Sequence, residues 1–386
     1  MLRSSIALRS LLAAAVVVVA CQEPTTAPAS APIAPTAPAR ALSAAPLTVS
    51  PSAPAADQLF GEFGRRAINP SDYVCSNSSP VTDLLNADLV RTLTASPEEK
   101  ARLVTMYNLA ADLVPTYEAL FFQTTATPQT FGYNGEFTTI MGKTERKVKS
   151  FWDIPSEQIQ VLGMHGTMLL DAARVSLTYQ VVFGLDKATA DTYAVAVRDA
   201  LAASTTMNGG NYAFWTFNSV SFRYPGLADK IVMGDGILEA FATLGFADVA
   251  PQAIFAHEFA HQIQYENEYF GDLTGVTAAE KTRYTELMAD AMAAYYLTHA
   301  RGEAMNQKRV EEFLEVFYQI GDCGFTSSGH HGTPNQRFRA AQFGFDVADQ
   351  FQKQGHILTS EEFHQQFLAY YPTLIAPDAT TATAAP

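Results

Sequence analysis

The chain has 386 residues, 48% of them hydrophobic, 11% aromatic and 17% charged, which is too apolar for a disordered polypeptide and enough to build a core. Acidic residues outnumber basic ones 39 to 25, a formal net charge of −14 that repels phosphate backbones and argues against a nucleic-acid partner. Three cysteines with no CxxC pair exclude a disulfide scaffold and a cysteine zinc site, and no apolar run reaches the roughly 18–20 residues of a membrane-spanning helix.

Residues 1–20 read as a bacterial lipoprotein signal peptide. Arg3 and Arg9 form its positive start and Leu11 to Ala20 its apolar stretch, and Val18-Val19-Ala20-Cys21 resembles a lipobox whose cysteine is acylated. Residues 21–56, almost wholly Ala, Pro, Thr and Ser, read as a tether, because such composition favours extended chain that packs poorly. Residues 57–374 are expected to form the folded domain and residues 375–386 a disordered Ala/Thr tail. The expected location is the cell envelope, anchored by the lipid on Cys21.

Within the domain the pattern is mainly helical. Ser96-Pro97-Glu98-Glu99 predicts a capping box with proline at the first helical position, and Pro115 is expected to kink or end that helix. A second helix is expected over Lys187–Ala203. Strands are expected over Tyr212–Arg223 and Asp229–Met233, followed by a Gly234-Asp235-Gly236 turn in which Asp235 caps the next helix. Helices then follow one another at about 237–245, 250–267, 277–300, 304–320, 334–351 and 360–370. The class is α+β, predominantly helical, with a small sheet.

The chemistry is concentrated in His257-Glu258-Phe259-Ala260-His261. Histidines at i and i+4 lie one above the other on a helix and can reach one metal ion, with the intervening glutamate close enough to act as base toward a water. A catalytic zinc needs a third protein ligand and an open position. The HExxHxxGxxH arrangement is excluded by Gln264 and Asn267. Glu286, on a helix rich in small and apolar residues, is the expected third ligand, since a carboxylate there is costly unless paired or metal-bound; Glu266, Glu268 and Glu280 are rivals in polar surroundings. Asp290, one turn after Glu286, is placed to hold the free nitrogen of a ligand histidine.

His257-Glu258-Phe259-Ala260-His261, then Glu286-Leu287-Met288-Ala289-Asp290, then His331-Gly332-Thr333-Pro334-Asn335-Gln336-Arg337 resembles the bacterial predicted neutral zinc metallopeptidases, with their HExxH, ExxAD and HGTxxQR motifs. The resemblance spans roughly residues 230–345. It implies a gluzincin-like, zincin-type domain, zinc as cofactor, peptide-bond hydrolysis, His257, His261 and Glu286 as ligands and Glu258 as base. The chain departs from that pattern at Ala291, where the family is expected to have cysteine, and residues 57–229 carry no resemblance.

His331 is expected to donate to the oxyanion that develops on an attacked peptide carbonyl, with Arg337 a structural or substrate-carboxylate partner; the alternative is a surface loop in which Thr333 caps the next helix. Cys75 and Cys323, the thiols left once Cys21 is acylated, are expected to pair in an oxidising compartment. His165, between Gly163 and Gly166, reads as a structural histidine beside a close backbone approach. His299, His356 and His364 read as solvated. The stretch Phe214–Phe222 is either an edge strand that holds extended substrate or a core strand. The expected activity is that of a membrane-tethered zinc endopeptidase acting on peptide or protein substrates. The alternatives are a zinc hydrolase for a non-peptide bond and a zinc-binding surface lipoprotein without proteolytic activity.

Overall fold

A computed structural model describes residues 71–378 apart from 72, 77, 272–275, 353 and 354. The signal peptide, Cys21 and the tether lie outside the described residues. The described residues begin with helices α1 (Pro80–Ala95), α2 (Pro97–Asn108), α3 (Val114–Phe121) and α4 (Thr138–Phe151), then strand β1 (Gln160–Met164), α5 (Ala172–Val182) and α6 (Lys187–Ala202). Strands β2 (Ser219–Phe222) and β3 (Lys230–Gly234) lead into α7 (Asp235–Thr243), α8 (Ala250–Glu266), α9 (Ala278–Thr298), α10 (Gln307–Gln319), α11 (Pro334–Gln352) and α12 (Ser360–Leu374). The α+β class with helix dominant therefore holds. No helix among the described residues is long and apolar enough to cross a membrane.

The sheet has the order β1-β3-β2, with β1 parallel and β2 antiparallel to β3. One face, including Leu162, Val220, Phe222 and Val232, packs on Leu120 and Ala119 of α3. Lys230 is buried at the start of β3, and its ammonium donates to the carbonyls of Ala119, Leu120 and Gln123, which the end of α3 would otherwise leave unpaired. Ser221 of β2 and the carbonyl of Lys230 both receive the amide of Gln262, which fixes α8 against the sheet.

Helix α8 is buried on every face from Ala250 to Gln264, and α9 from Arg283 to Thr298. Such helices are held by packing rather than by amphipathic partition between core and water. Alpha-9 runs so close to α11 that a Cβ on Gly344 would meet the carbonyl oxygen of Ala291 at 2.0 Å. Beyond α12 the chain stays attached as far as Asp378, whose carboxylate accepts from the amide of Val74, from Asn335 and from Arg339.

Several local expectations need correction. Ser96 does cap α2 through the amide of Glu99, but Glu99 does not return the bond. Its buried carboxylate instead takes Ser204, Thr205, Thr206 and Arg102; burial works to raise its pKa, and these donors overcome that and bring it to about 2. Helix α2 ends at Asn108, before a left-handed Ala110, and Pro115 sits in the first turn of a new helix, where a missing N–H and a fixed φ do no harm. The expected strand over 212–223 shrinks to Ser219–Phe222, because Ala213–Thr216 forms a 3₁₀ turn that turns Phe214 and Trp215 into the core. Asp235 is the first residue of α7 rather than its cap, and its carboxylate points elsewhere. His299 and His364 are buried, not solvated: His299 Nε2 meets the carbonyl of His356, and His364 meets the hydroxyl of Tyr284 and stacks on Tyr269, whereas His356 itself is exposed.

Candidate metal centre

Helix α8 carries His257 and His261 one turn apart, and α9, packed beside it, brings Glu286 to the same point. Their ligand atoms all lie within 4.8 Å of one another. The two Nε2 atoms are 3.2 Å apart, His257 Nε2 is 3.3 Å from Glu286 Oε2, and His261 Nε2 is 3.5 Å from Glu286 Oε1. Ligand atoms held 2.0–2.1 Å from a tetrahedral ion stand roughly 3.3 Å from each other, so these separations, between the two Nε2 atoms and from each to one of the two Glu286 oxygens, are of the size that a shared ion requires. The donor set, two imidazoles and a carboxylate, suits a divalent metal ion.

The remaining nitrogens are occupied in a way that turns both Nε2 atoms inward. His257 Nδ1 lies 2.8 Å from Asp290 Oδ1, and a carboxylate can only accept, so Nδ1 carries the proton. His261 Nδ1 lies 2.9 Å from Gln264 Oε1. The orientation of that amide follows from its other end, since Gln264 Nε2 donates to the carbonyl of Thr285 at 2.8 Å. Asp290 is in turn clamped by Arg337, whose Nε and Nη2 each approach a different carboxylate oxygen at 2.7 Å. Arg337 is completely buried, so of its two expected roles the structural one fits and a substrate carboxylate has no access to it.

All of these groups are out of water: His257, Glu258, His261 and Glu286 are at most 5% exposed. Burial by itself would make His257 harder to protonate, but the Asp290 and Glu286 carboxylates reverse this and raise its pKa to about 9. His261 is raised as well: burial opposes the charge, and Glu286 first and Glu258 less strongly outweigh it. Burial would raise the Glu286 carboxyl, yet the positive influence of His331, then of His261 and His257, holds it well below the usual range. The three ligands therefore form a site that attracts positive charge, whether protons or a metal ion.

His331 reaches this site from the loop between α10 and α11. The loop closes on Asp322: its amide donates to the carbonyl of Gly332, one carboxylate oxygen accepts from the amide of Gly324 and from His330 Nδ1, and the other accepts from the amide of His331 and faces His331 Nδ1 at 3.2 Å. Burial opposes the charge on Asp322, and the two histidines reverse that and depress its pKa far below the ordinary value. With Nδ1 held by Asp322, His331 Nε2 is buried and has no hydrogen-bond partner. Thr333 and Gln336 cap α11 reciprocally. The capping part of the alternative reading therefore stands, but His330, His331 and Thr333 are buried rather than part of a surface loop. Cys323, next to Asp322, is bonded to Cys75, with the Cα atoms 5.8 Å apart, so the segment before α1 is tied to this loop.

Two of the three rival carboxylates go elsewhere. Glu266 pairs with Arg223 on the surface, and Glu280 completes the cap of α9 with Thr277. All four residues of β2 are buried. Sequence reasoning missed Gln264 and Asp322. Gln264 stands three residues after His261 on the same helix, a spacing that could have signalled it; Asp322 has no local signal, because a loop brings it to residues 330 and 331. No protein-family model, curated protein or solved structure matches the chain.

Proposed function

We propose that this protein is a zinc-dependent endopeptidase of the neutral metallopeptidase type, with a zincin-like domain, held at the bacterial cell envelope by a lipid on Cys21. The observation that carries the reading is the convergence of His257, His261 and Glu286 at the edge lengths of a tetrahedral site, with Glu258 on the same helix between the two histidines. A zinc ion bound there supplies Lewis-acid activation of a water and of the peptide carbonyl.

The protein's own groups do the rest. Glu258 accepts the proton of the attacking water and returns it to the leaving amine. His331, oriented by Asp322, offers Nε2 to the oxygen that gains negative charge, a contact worth roughly 2–4 kcal/mol in acyl-transfer sites. Asp290 and Gln264 keep the ligand histidines in one tautomer and one orientation, and Arg337 neutralises Asp290.

The deep burial of the ligands favours a second reading, a metal site that stabilises the fold without catalysis. Digestion of a mixed peptide library separates the two. The proteolytic reading expects cleavage that a chelator abolishes and added zinc restores; metal-loaded protein that cleaves nothing in the library leaves the structural reading.

A further inference from the structure

His330 is a buried imidazole with no part in the proposed reaction. It is 0% exposed, directly precedes His331 on the loop between α10 and α11, and shares one carboxylate with it. Asp322 Oδ1 accepts from His330 Nδ1 at 2.7 Å and from the amide of Gly324 at 2.6 Å. Asp322 Oδ2 accepts from the amide of His331 at 2.7 Å and faces His331 Nδ1 at 3.2 Å. A carboxylate only accepts, so each Nδ1 carries a proton. Phe325 packs on the His330 ring with centroids 5.1 Å apart, and Tyr73 packs on Phe325 at 5.5 Å. Among the described residues Asp322 is the one hydrogen-bond partner of the His330 ring, whose Nε2 is buried without any.

The contact to His331 Nδ1 is the longest of the four that this carboxylate makes, and it is the one that sets the angle of the His331 ring. That angle follows the plane of the carboxylate, which turns about a single side-chain bond. The Asp322 side chain is 29% exposed, so water competes for its oxygens. Two of its donors, the amides of Gly324 and His331, are backbone groups that move with the loop itself. His330 is the donor on Oδ1 that is fixed independently, by a ring buried against Phe325, which Tyr73 braces from outside the loop. Burial opposes the charge on Asp322, and His330 followed by His331 outweighs it.

We propose that His330 is a positioning residue whose hydrogen bond to Asp322 holds the carboxylate at the angle that aims His331 Nε2 into the metal centre. The proposal rests on the role given to His331 in peptide hydrolysis. His330 acts through Asp322 and not on the reacting atoms, as groups that lock a working side chain in one rotamer do. Two substitutions separate the hydrogen bond from the packing. In His330→Phe a ring of similar shape packs on Phe325 and donates nothing. In His330→Asn the amide Nδ2 stands close to the place of Nδ1 and can donate the same bond without the ring.

The test follows the His331 ring by nitrogen NMR in the full protein, its signal assigned by its loss in His331→Ala. Peptide turnover and zinc content are measured on the same preparations. For His330→Phe the expected result is a displaced His331 signal, a kcat about tenfold lower, an unchanged KM and parental zinc. His330→Asn should return the signal to its parental position and kcat to within about threefold of the parent, a rescue that a merely packing role would not show. The proposal is overturned if the His331 signal of His330→Phe stays at its parental position, or if His330→Asn displaces it as far as His330→Phe does. If His330→Phe does not fold, a folded His330→Asn with a displaced signal overturns it equally. A parent that hydrolyses no peptide would sink the peptidase reading, whereas the ring signals still decide whether His330 positions His331.

Discussion

His257–Asp290 and His165–Asp235 are the same chemical pair, an imidazole Nδ1 held by a buried aspartate, placed in two different settings. At α8 and α9 both partners are buried, Arg337 grips the far side of Asp290, and Nε2 faces a second histidine and a glutamate. At the ends of β1 and β3 only the aspartate is buried, a backbone amide takes the place of the arginine, and the imidazole opens onto a cleft. In both places the aspartate fixes the ring, and the neighbours of Nε2 decide what the ring can hold. Inward-facing, buried ligand atoms beside a carboxylate suit a metal ion, whereas the half-exposed imidazole at the strand ends stays open to solvent.

The largest effect that sharpens this contrast comes from Glu258. Glu258→Gln should lower peptide turnover by about a thousandfold while zinc content stays at the parental level, because an amide cannot accept the water's proton but leaves the ligands untouched. Steady-state kinetics with metal analysis on the same preparation checks this, and near-normal turnover would break the assigned mechanism. His331→Ala should lower turnover by around a hundredfold with zinc retained. If zinc is lost instead, His331 is a ligand and the assignment of Glu286 must be revised.

The two aspartates offer the direct comparison. Asp290→Asn should weaken zinc binding by about 10–100-fold, since it removes the charge that orients His257 and leaves Arg337 buried beside a neutral partner. Asp235→Asn should leave zinc affinity unchanged. Competition with a chelator of known affinity measures both, and equal losses would show that the two pairs are not independent.

A smaller and graded effect is expected from pH. With His257 raised to about 9, the metal-free site holds a proton at neutral pH that zinc must displace, and the upward direction for His261 adds to that competition. A raised histidine pKa means the protonated form is fully populated at lower pH and is lost as pH rises through the shifted value. Zinc affinity should therefore increase with pH, by about tenfold per unit for each proton displaced, and level off above about 9. Proton release on adding zinc to weakly buffered protein reports the same linkage, and a flat profile between neutral and mildly alkaline pH would contradict the electrostatics described for the site.

How much of this was legible in the sequence depended on the distance over which each feature is encoded. The spacing of His257 and His261, and of Glu286 and Asp290, is written in helical periodicity, so the two faces could be read without knowing how they meet. The expected ends of helices α7 to α11 fall within a few residues of those observed. The first half was poorly read. Strand β1 exists because Gln160 pairs with Lys230, seventy residues on, and nothing local marks it. His299 and His364 look solvated in their polar stretches, yet tertiary partners that no local pattern reveals bury both. Asp322 is the clearest case: it holds two histidines, and only the closure of a loop puts it there.

In the proposed function, His257, His261 and Glu286 together hold one zinc ion. Metal analysis of the mildly purified protein beside Glu286→Ala tests it most directly. The parent should carry close to one zinc per chain and the variant markedly less, because two imidazoles without the carboxylate form an incomplete site. A parent without zinc, or a Glu286→Ala protein that retains it in full, would contradict this assignment of the ligands.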